Sequence, residues 1–168
     1  MLKYIWRFNI EYAKLETLTL HTVDKKNKSD FEFTKKMLFD ESIKRWFTSI
    51  GNGLLNNPNY EFFNHSFLVK NNDEYIGIIG IGNYNSNEKC VYLRSAVDKD
   101  KRGKSYGKKI LYEITEYIFS NYDIVESIRL KIDKENLASL ATIDYCGYTL
   151  LESDYYIKYN PYIKTQKR

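Results

Sequence analysis

One segment constrains this chain more than any other. Residues 97–109 read Val-Asp-Lys-Asp-Lys-Arg-Gly-Lys-Ser-Tyr-Gly-Lys-Lys, between a strand-like run over 90–97 and a stretch where Ile110, Leu111, Ile114, Tyr117 and Ile118 recur at helical spacing. A strand that ends in a basic, glycine-containing loop and reopens as an amphipathic helix points unpaired backbone N–H groups, and the positive end of the helix dipole, at one place. Gly103 and Gly107 let the backbone approach a ligand without a Cβ in the way. The segment is in physical terms an anion site, suited to a phosphate or pyrophosphate. It is not a P-loop, whose second glycine falls five residues after the first, because Gly107 comes four after Gly103. It is not the dinucleotide GxGxxG either.

The rest of the chain supplies a frame for that site. Alternation predicts strands over 15–23, 66–70, 75–83, 90–97, 127–132 and 150–159, with a hairpin turn at 71–74. Helical spacing predicts a helical segment over 30–55, in which Asp40 caps a run of Ile43, Trp46, Phe47 and Ile50 ended by Gly51 and Gly53. It also predicts a helix over 105–120, with Glu113 on the polar side, and a short one that Asn136 caps, carrying Leu137, Leu140 and Ala141 up to Gly147. There are no repeats and only two prolines, Pro58 and Pro161, so 1–168 is expected to be a single domain. The element order is that of an α/β (α+β) fold with a mixed, mostly antiparallel central sheet flanked by helices.

Composition excludes several classes. Two cysteines, Cys90 and Cys146, build neither a disulfide framework nor a zinc site, which points to a reducing compartment. No run approaches about 20 apolar residues, and Lys3, Arg7, Glu11 and Lys14 interrupt the N-terminus where a signal peptide needs its apolar region, so a cytoplasmic location and no membrane partner are expected. His21 and His65 have no ligand-spaced neighbours, so no metal is expected. Gly77, Gly80 and Gly82 sit among Ile76, Ile78, Ile79 and Ile81, where a bulge or close packing explains them better than a nucleotide fingerprint.

The Val-x-x-x-x-Arg-Gly-Lys-x-x-Gly pattern, running from a strand end into a helix, resembles the acyl-CoA signature of the GNAT superfamily of N-acetyltransferases. In that family the loop is Arg/Gln-x-x-Gly-x-Gly/Ala. Arg102 and Gly107 match, and Ser105 stands where the first glycine is usual, a turn it adopts if its φ stays negative. A second segment, Asn136 to Ser139 followed by Gly147-Tyr148, resembles the family's Asn-x-x-Ser/Ala…Gly-Phe element. The resemblance covers about 67–159 as the acyl-CoA-binding core, leaving about 1–65 for acceptor-site elements. The ribosomal-protein N-terminal acetyltransferase branch resembles this chain in having a serine at the position of Ser139 and is one branch that the resemblance suggests.

The resemblance implies an acetyl-CoA-dependent N-acetyltransferase in which a neutral amine attacks the thioester directly. It implies cofactor binding by Ser95, Ala96, Val97, Arg102, Gly103, Lys104, Ser105, Tyr106, Gly107, Lys108, Asn136 and Ser139, with Ser139 as candidate general acid. Many relatives carry a tyrosine seven residues after the asparagine, where this chain has Ile143, and a glutamate near Val91 that is absent here. The general base is left open between a water chain and Glu61, Glu74 or Glu88. The acceptor is a protein N-terminus, a polyamine or an aminoglycoside-like amine, and the oligomeric state is open, a homodimer included. The rival reading is a non-catalytic module whose Lys99, Lys101, Arg102, Lys104, Lys108 and Lys109 contact CoA or nucleic-acid phosphates.

Overall fold

The computed structural model of the chain describes residues 12–24, 26–44 and 66–163. They fall in two compact units, one made of residues 12–24, 26–44, 66–80 and 95–106, the other of 81–94 and 107–163.

The first unit opens with an antiparallel hairpin, β1 (Tyr12–Lys14) and β2 (Thr19–Thr22), where alternation predicts one strand. The Leu15 amide donates to the Leu18 carbonyl at 2.9 Å, and the turn this closes sets both leucines inward, at 7% and 0% exposure. Helix α1 (Lys28–Phe39) starts earlier than expected, because the Asn27 side chain accepts from the Ser29 and Asp30 amides. Asp40 ends α1 and, as expected, caps the next helix, α2 (Glu41–Lys44), by accepting from the Ser42 amide at 2.9 Å. Trp46, Phe47, Ile50, Gly51 and Gly53 lie outside the described residues. Strands β3 (Ser66–Asn71) and β4 (Glu74–Ile81) form the expected hairpin. Its two turn residues, Asn72 and Asp73, both have positive φ, the backbone twist that suits a two-residue connection. The helices and strands of this unit close over Val23, Phe33, Met37, Leu38, Ile43, Leu68 and Ile78, with Tyr75 and Ala96 against them. Each of the larger of these side chains contributes roughly 1.5–3 kcal/mol by burial.

One carboxylate sits inside this unit. Asp30 is 2% exposed and accepts from the Tyr75 hydroxyl at 2.5 Å and the Asp24 amide at 3.1 Å, with His21 Nε2 at 3.1 Å. Burial raises the Asp30 pKa, but the bonds from Tyr75, the Asp24 amide and His21 outweigh it and hold the carboxyl below its ordinary value. Burial and the Asp30 carboxylate push Tyr75 up to about 12. Tyr75→Phe is expected to destabilise by about 1.5–3 kcal/mol at neutral pH in urea unfolding, since it strips a hydrogen bond from a buried charge. Because the folded pKa of Asp30 lies below the unfolded one, its contribution is complete above about pH 4 and is lost as pH falls through the folded value. A Tyr75→Phe protein as stable as wild type at pH 7 contradicts this.

The second unit takes in the first part of β5 (Cys90–Val97) and all but the first residue of α3 (Tyr106–Asn121). It continues with β6 (Ser127–Lys131), α4 (Leu137–Tyr145), β7 (Thr149–Glu152) and β8 (Tyr155–Tyr159). β5 and β6 are parallel, as a connection through a crossover helix requires, in register Cys90↔Ser127 to Tyr92↔Arg129. The strand expected over 150–159 is instead the antiparallel β7–β8 hairpin, turned at Ser153 (φ +48°) and Asp154. Ile110, Leu111, Ile114, Ile118 and Phe119 of α3 are at most 2% exposed. Glu113, expected on the polar side, is buried with them at 5%. The Gly82 amide bonds the Tyr92 carbonyl at 2.7 Å, and a Cβ there would meet that oxygen at 3.3 Å, so close packing explains this glycine. Helix α4 ends at Gly147 (φ +76°): the Gly147 amide bonds Asp144 O, the Tyr148 amide bonds Ile143 O, and both Ile143 and Tyr148 are buried. β1 to β4 pair in turn as antiparallel neighbours, and β5 pairs parallel with β6, β6 antiparallel with β8 and β8 antiparallel with β7, the mixed, mostly antiparallel strand pairing of an α/β fold.

Candidate functional site

In the first unit, Ser95, Ala96 and Val97 close β5, and the loop that follows is tied down at each step. The Asp98 amide donates to Ile76 O at 3.0 Å, and the Asp98 carboxylate, on a residue 3% exposed, caps the short turn Lys99–Lys101. Lys36, on the last turn of α1, bridges Asp98 and Asp100 at 2.7 Å each. Its bonds to Asp100 and Asp98 raise its pKa, and Lys36 in turn holds the Asp100 carboxyl low. Lys101 pairs with Glu74, and Asn71 donates to the Tyr106 hydroxyl at 3.3 Å. Arg102 turns its guanidinium onto protein: Nε to Val97 O (3.3 Å), Nη1 to Ser42 Oγ (2.9 Å) and Nη2 toward Asp40 Oδ2 (3.4 Å).

Between Arg102 and the helix the backbone takes two left-handed residues. Gly103 has φ +77° with open space where a Cβ would stand. Ser105 has φ +61°, which corrects the expectation of a negative φ and explains why the family signature has glycine there. A non-glycine left-handed residue is penalised by about 1–2 kcal/mol, against about 0.5–1 kcal/mol of extra chain entropy for glycine. Ser105→Gly is therefore expected to raise stability by up to about 1 kcal/mol, a rise of roughly 2–4 °C in Tm. A lower Tm for the glycine variant contradicts the left-handed assignment.

Tyr106, Gly107 and Lys108 form the first turn of α3, which carries no acidic residue and no side-chain cap among the described residues. Its leading N–H groups have no intrahelical partner, as at the start of any helix, and stand at the positive end of a 16-residue helix. Lys104 forms no ion pair among the described residues, so its charge is also available. In the second unit, Lys108 lies over the Tyr145 ring at 4.6 Å, and the Cys146 thiol points at the Lys108 carbonyl. The loop and helix start thus suit an anionic, phosphate-bearing ligand through glycine-bounded backbone, free amides and Lys104.

The second predicted element is also in the second unit. Asn136 caps α4 by accepting from the Ser139 amide at 3.2 Å, and Ser139 is half-buried. Val91 and Ile143, at the positions of the family's glutamate and tyrosine, are core residues with 0% and 3% exposure. Of the candidate bases, Glu74 is held by Lys101, and Glu88 is held by Arg129 at 2.7 Å. Arg129 keeps Glu88 below its ordinary pKa, which weakens it as a proton acceptor. Glu61 lies outside the described residues. Cys90 and Cys146 are buried free thiols, and burial pushes Cys146 up to about 11, so neither is a ready nucleophile.

The predicted cofactor residues 95–106 therefore belong to one unit, and Gly107, Lys108, Asn136 and Ser139 to the other. Sequence reading missed the residues that hold the loop: Lys36, Asn71, Asp98 and the second role of Asp40. No periodicity marks them, because the side-chain ties of Lys36 to Asp98, Asn71 to Tyr106 and Asp40 to Arg102 span 35 or more residues of the chain. Among the described residues no group of His, Cys, Asp and Glu is arranged to hold a metal, and no helix is long and apolar enough to cross a membrane.

The model of the Acetyltransferase (GNAT) family matches residues 15–148. The chain belongs to the GNAT acetyltransferase family. Solved structures share its fold at low identity. Spermidine N-acetyltransferase from Vibrio cholerae in complex with CoA and spermine is 15% identical, covers 86% of this chain and 96% of its own, and has a TM-score of 0.69. A ribosomal L7/L12 alpha-N-protein acetyltransferase in complex with coenzyme A is 14% identical over 87% of this chain and 98% of its own, with a TM-score of 0.63. An aminoglycoside acetyltransferase in complex with coenzyme A is 14% identical over 84% of this chain and 94% of its own, with a TM-score of 0.65. No curated protein matches the chain.

Proposed function

We propose that this GNAT-family chain transfers the acetyl group of acetyl-CoA to a primary amine. The observation that carries the reading is the uncapped, acid-free start of α3 behind the left-handed turn at Gly103 and Ser105. When bound, acetyl-CoA supplies the activated acetyl thioester. The amides at the start of α3, with Lys104, hold its phosphates, and the strand end Ser95, Ala96 and Val97 orients the pantetheine arm. Asn136 keeps the first turn of α4 in place; as the C–N bond forms and the C–S bond breaks, the Ser139 hydroxyl donates a proton to the leaving thiolate and is restored by the proton that the attacking amine releases. The buried, high-pKa thiol of Cys146 favours direct transfer over an acyl-enzyme.

The acceptor is a protein N-terminus, a polyamine or an aminoglycoside-like amine, the classes that the structural neighbours name for themselves. Thiol release from acetyl-CoA, measured with N-terminal peptides, spermidine and an aminoglycoside beside amine-blocked versions of each, tests this. Release with at least one free amine and none with its blocked form is expected. CoA binding without release for any acceptor would replace the enzyme by a non-catalytic CoA module.

A further inference from the structure

The loop residue that sequence marks as a phosphate ligand has its side chain engaged elsewhere. Three of the five guanidinium N–H donors of Arg102 are directed at protein oxygens: Val97 O, Ser42 Oγ and Asp40 Oδ2. Asp40 is prepared for this. Its Oδ1 accepts from the Ser42 amide at 2.9 Å and hydroxyl at 2.6 Å, which leaves Oδ2 facing the guanidinium. The Ser42 hydroxyl outweighs burial, and with the Ser42 amide, Arg102 and Lys99 it holds the Asp40 carboxyl below its ordinary value, so the acceptor stays charged. A second ion contact runs the other way, from Lys36 on α1 to Asp98 and Asp100 in the loop. The α1–α2 junction and the loop are thus joined by reciprocal cation–carboxylate contacts within one unit.

We infer that Arg102 is a positioning residue that latches the cofactor loop to the α1–α2 junction through Asp40 and Ser42, and not a ligand of the phosphates. Phosphate binding then falls to the backbone of 103–107 and to Lys104. The inference rests on the acetyl-CoA reading for its functional consequence, but the latch itself belongs to the free protein.

The test is a double-mutant cycle on Arg102→Ala and Asp40→Asn, with Ser42→Ala as a milder third variant and thermal unfolding to confirm that each folds. Each single change is expected to raise the CoA dissociation constant and the acetyl-CoA KM about three- to fivefold, as loss of an exposed ion contact does, with kcat nearly unchanged. The double variant is expected to be no worse than the singles. The salt dependence of CoA affinity should stay the same in Arg102→Ala, because no phosphate contact is lost. If Arg102 grips phosphate, Asp40→Asn frees it and affinity holds or improves while Arg102→Ala alone fails, and that result overturns the latch. Unchanged affinity in both variants overturns it as well. Amide exchange at Gly103 and Lys104 in the free protein reads the latch independently: both variants should accelerate it equally. If wild type binds no CoA, the exchange result still decides the latch, and only the cofactor reading fails.

Discussion

Gly107→Glu is expected to abolish CoA binding in a protein that remains folded. Gly107 is the second residue of α3, in a first turn that carries no acidic side chain. A glutamate there places a bulky negative group where the free amides and the helix dipole otherwise attract phosphate. A loss of at least about 100-fold in CoA affinity is expected by calorimetry, equal to about 2.7 kcal/mol. The melting temperature in the absence of ligand should barely move, since acidic residues suit a helix N-terminus. Wild-type affinity in this variant would place the cofactor elsewhere.

Ser139→Ala should separate chemistry from binding. Ser139 donates its amide to Asn136, so removing the hydroxyl leaves the helix cap in place. If that hydroxyl protonates the leaving thiolate, kcat should fall by about 100-fold while acetyl-CoA affinity stays within about twofold. Equal losses in kcat and affinity would make Ser139 a cofactor contact, and an undiminished rate would remove it from the reaction.

The features of the fold and site that are legible in the sequence are those encoded locally. The strand, loop and helix over 90–121 announce themselves by a change of hydrophobic period at two glycines. Asn136 and Gly147 mark the two ends of α4 by the residue types that caps require. Two strand predictions ran through a turn. At 15–18 the apolar alternation continues through a turn containing no glycine, and at 153–154 a serine with positive φ does what sequence rules assign to glycine or asparagine. Ser105 hides its left-handed backbone for the same reason. The ties that hold the loop were invisible because they are long-range. Lys36 and Asp98 are 62 positions apart, and so are Asp40 and Arg102. Asp40 showed only its local role as a cap, since a capping carboxylate has a second oxygen whose partner no spacing reveals.

The turn at Gly103 and Ser105 and the start of α3 are the proposed acetyl-CoA site. Its most direct test is a thermal shift with acetyl-CoA, CoA, ATP and a short RNA at matched ionic strength. A ligand at about 100 times its dissociation constant stabilises by roughly 2.7 kcal/mol, a shift easily seen for a chain of this size. Stabilisation by acetyl-CoA and CoA well above that by ATP, with none from RNA, is the predicted result. Stabilisation by RNA alone would contradict it and make the basic loop a nucleic-acid surface on an acetyltransferase fold.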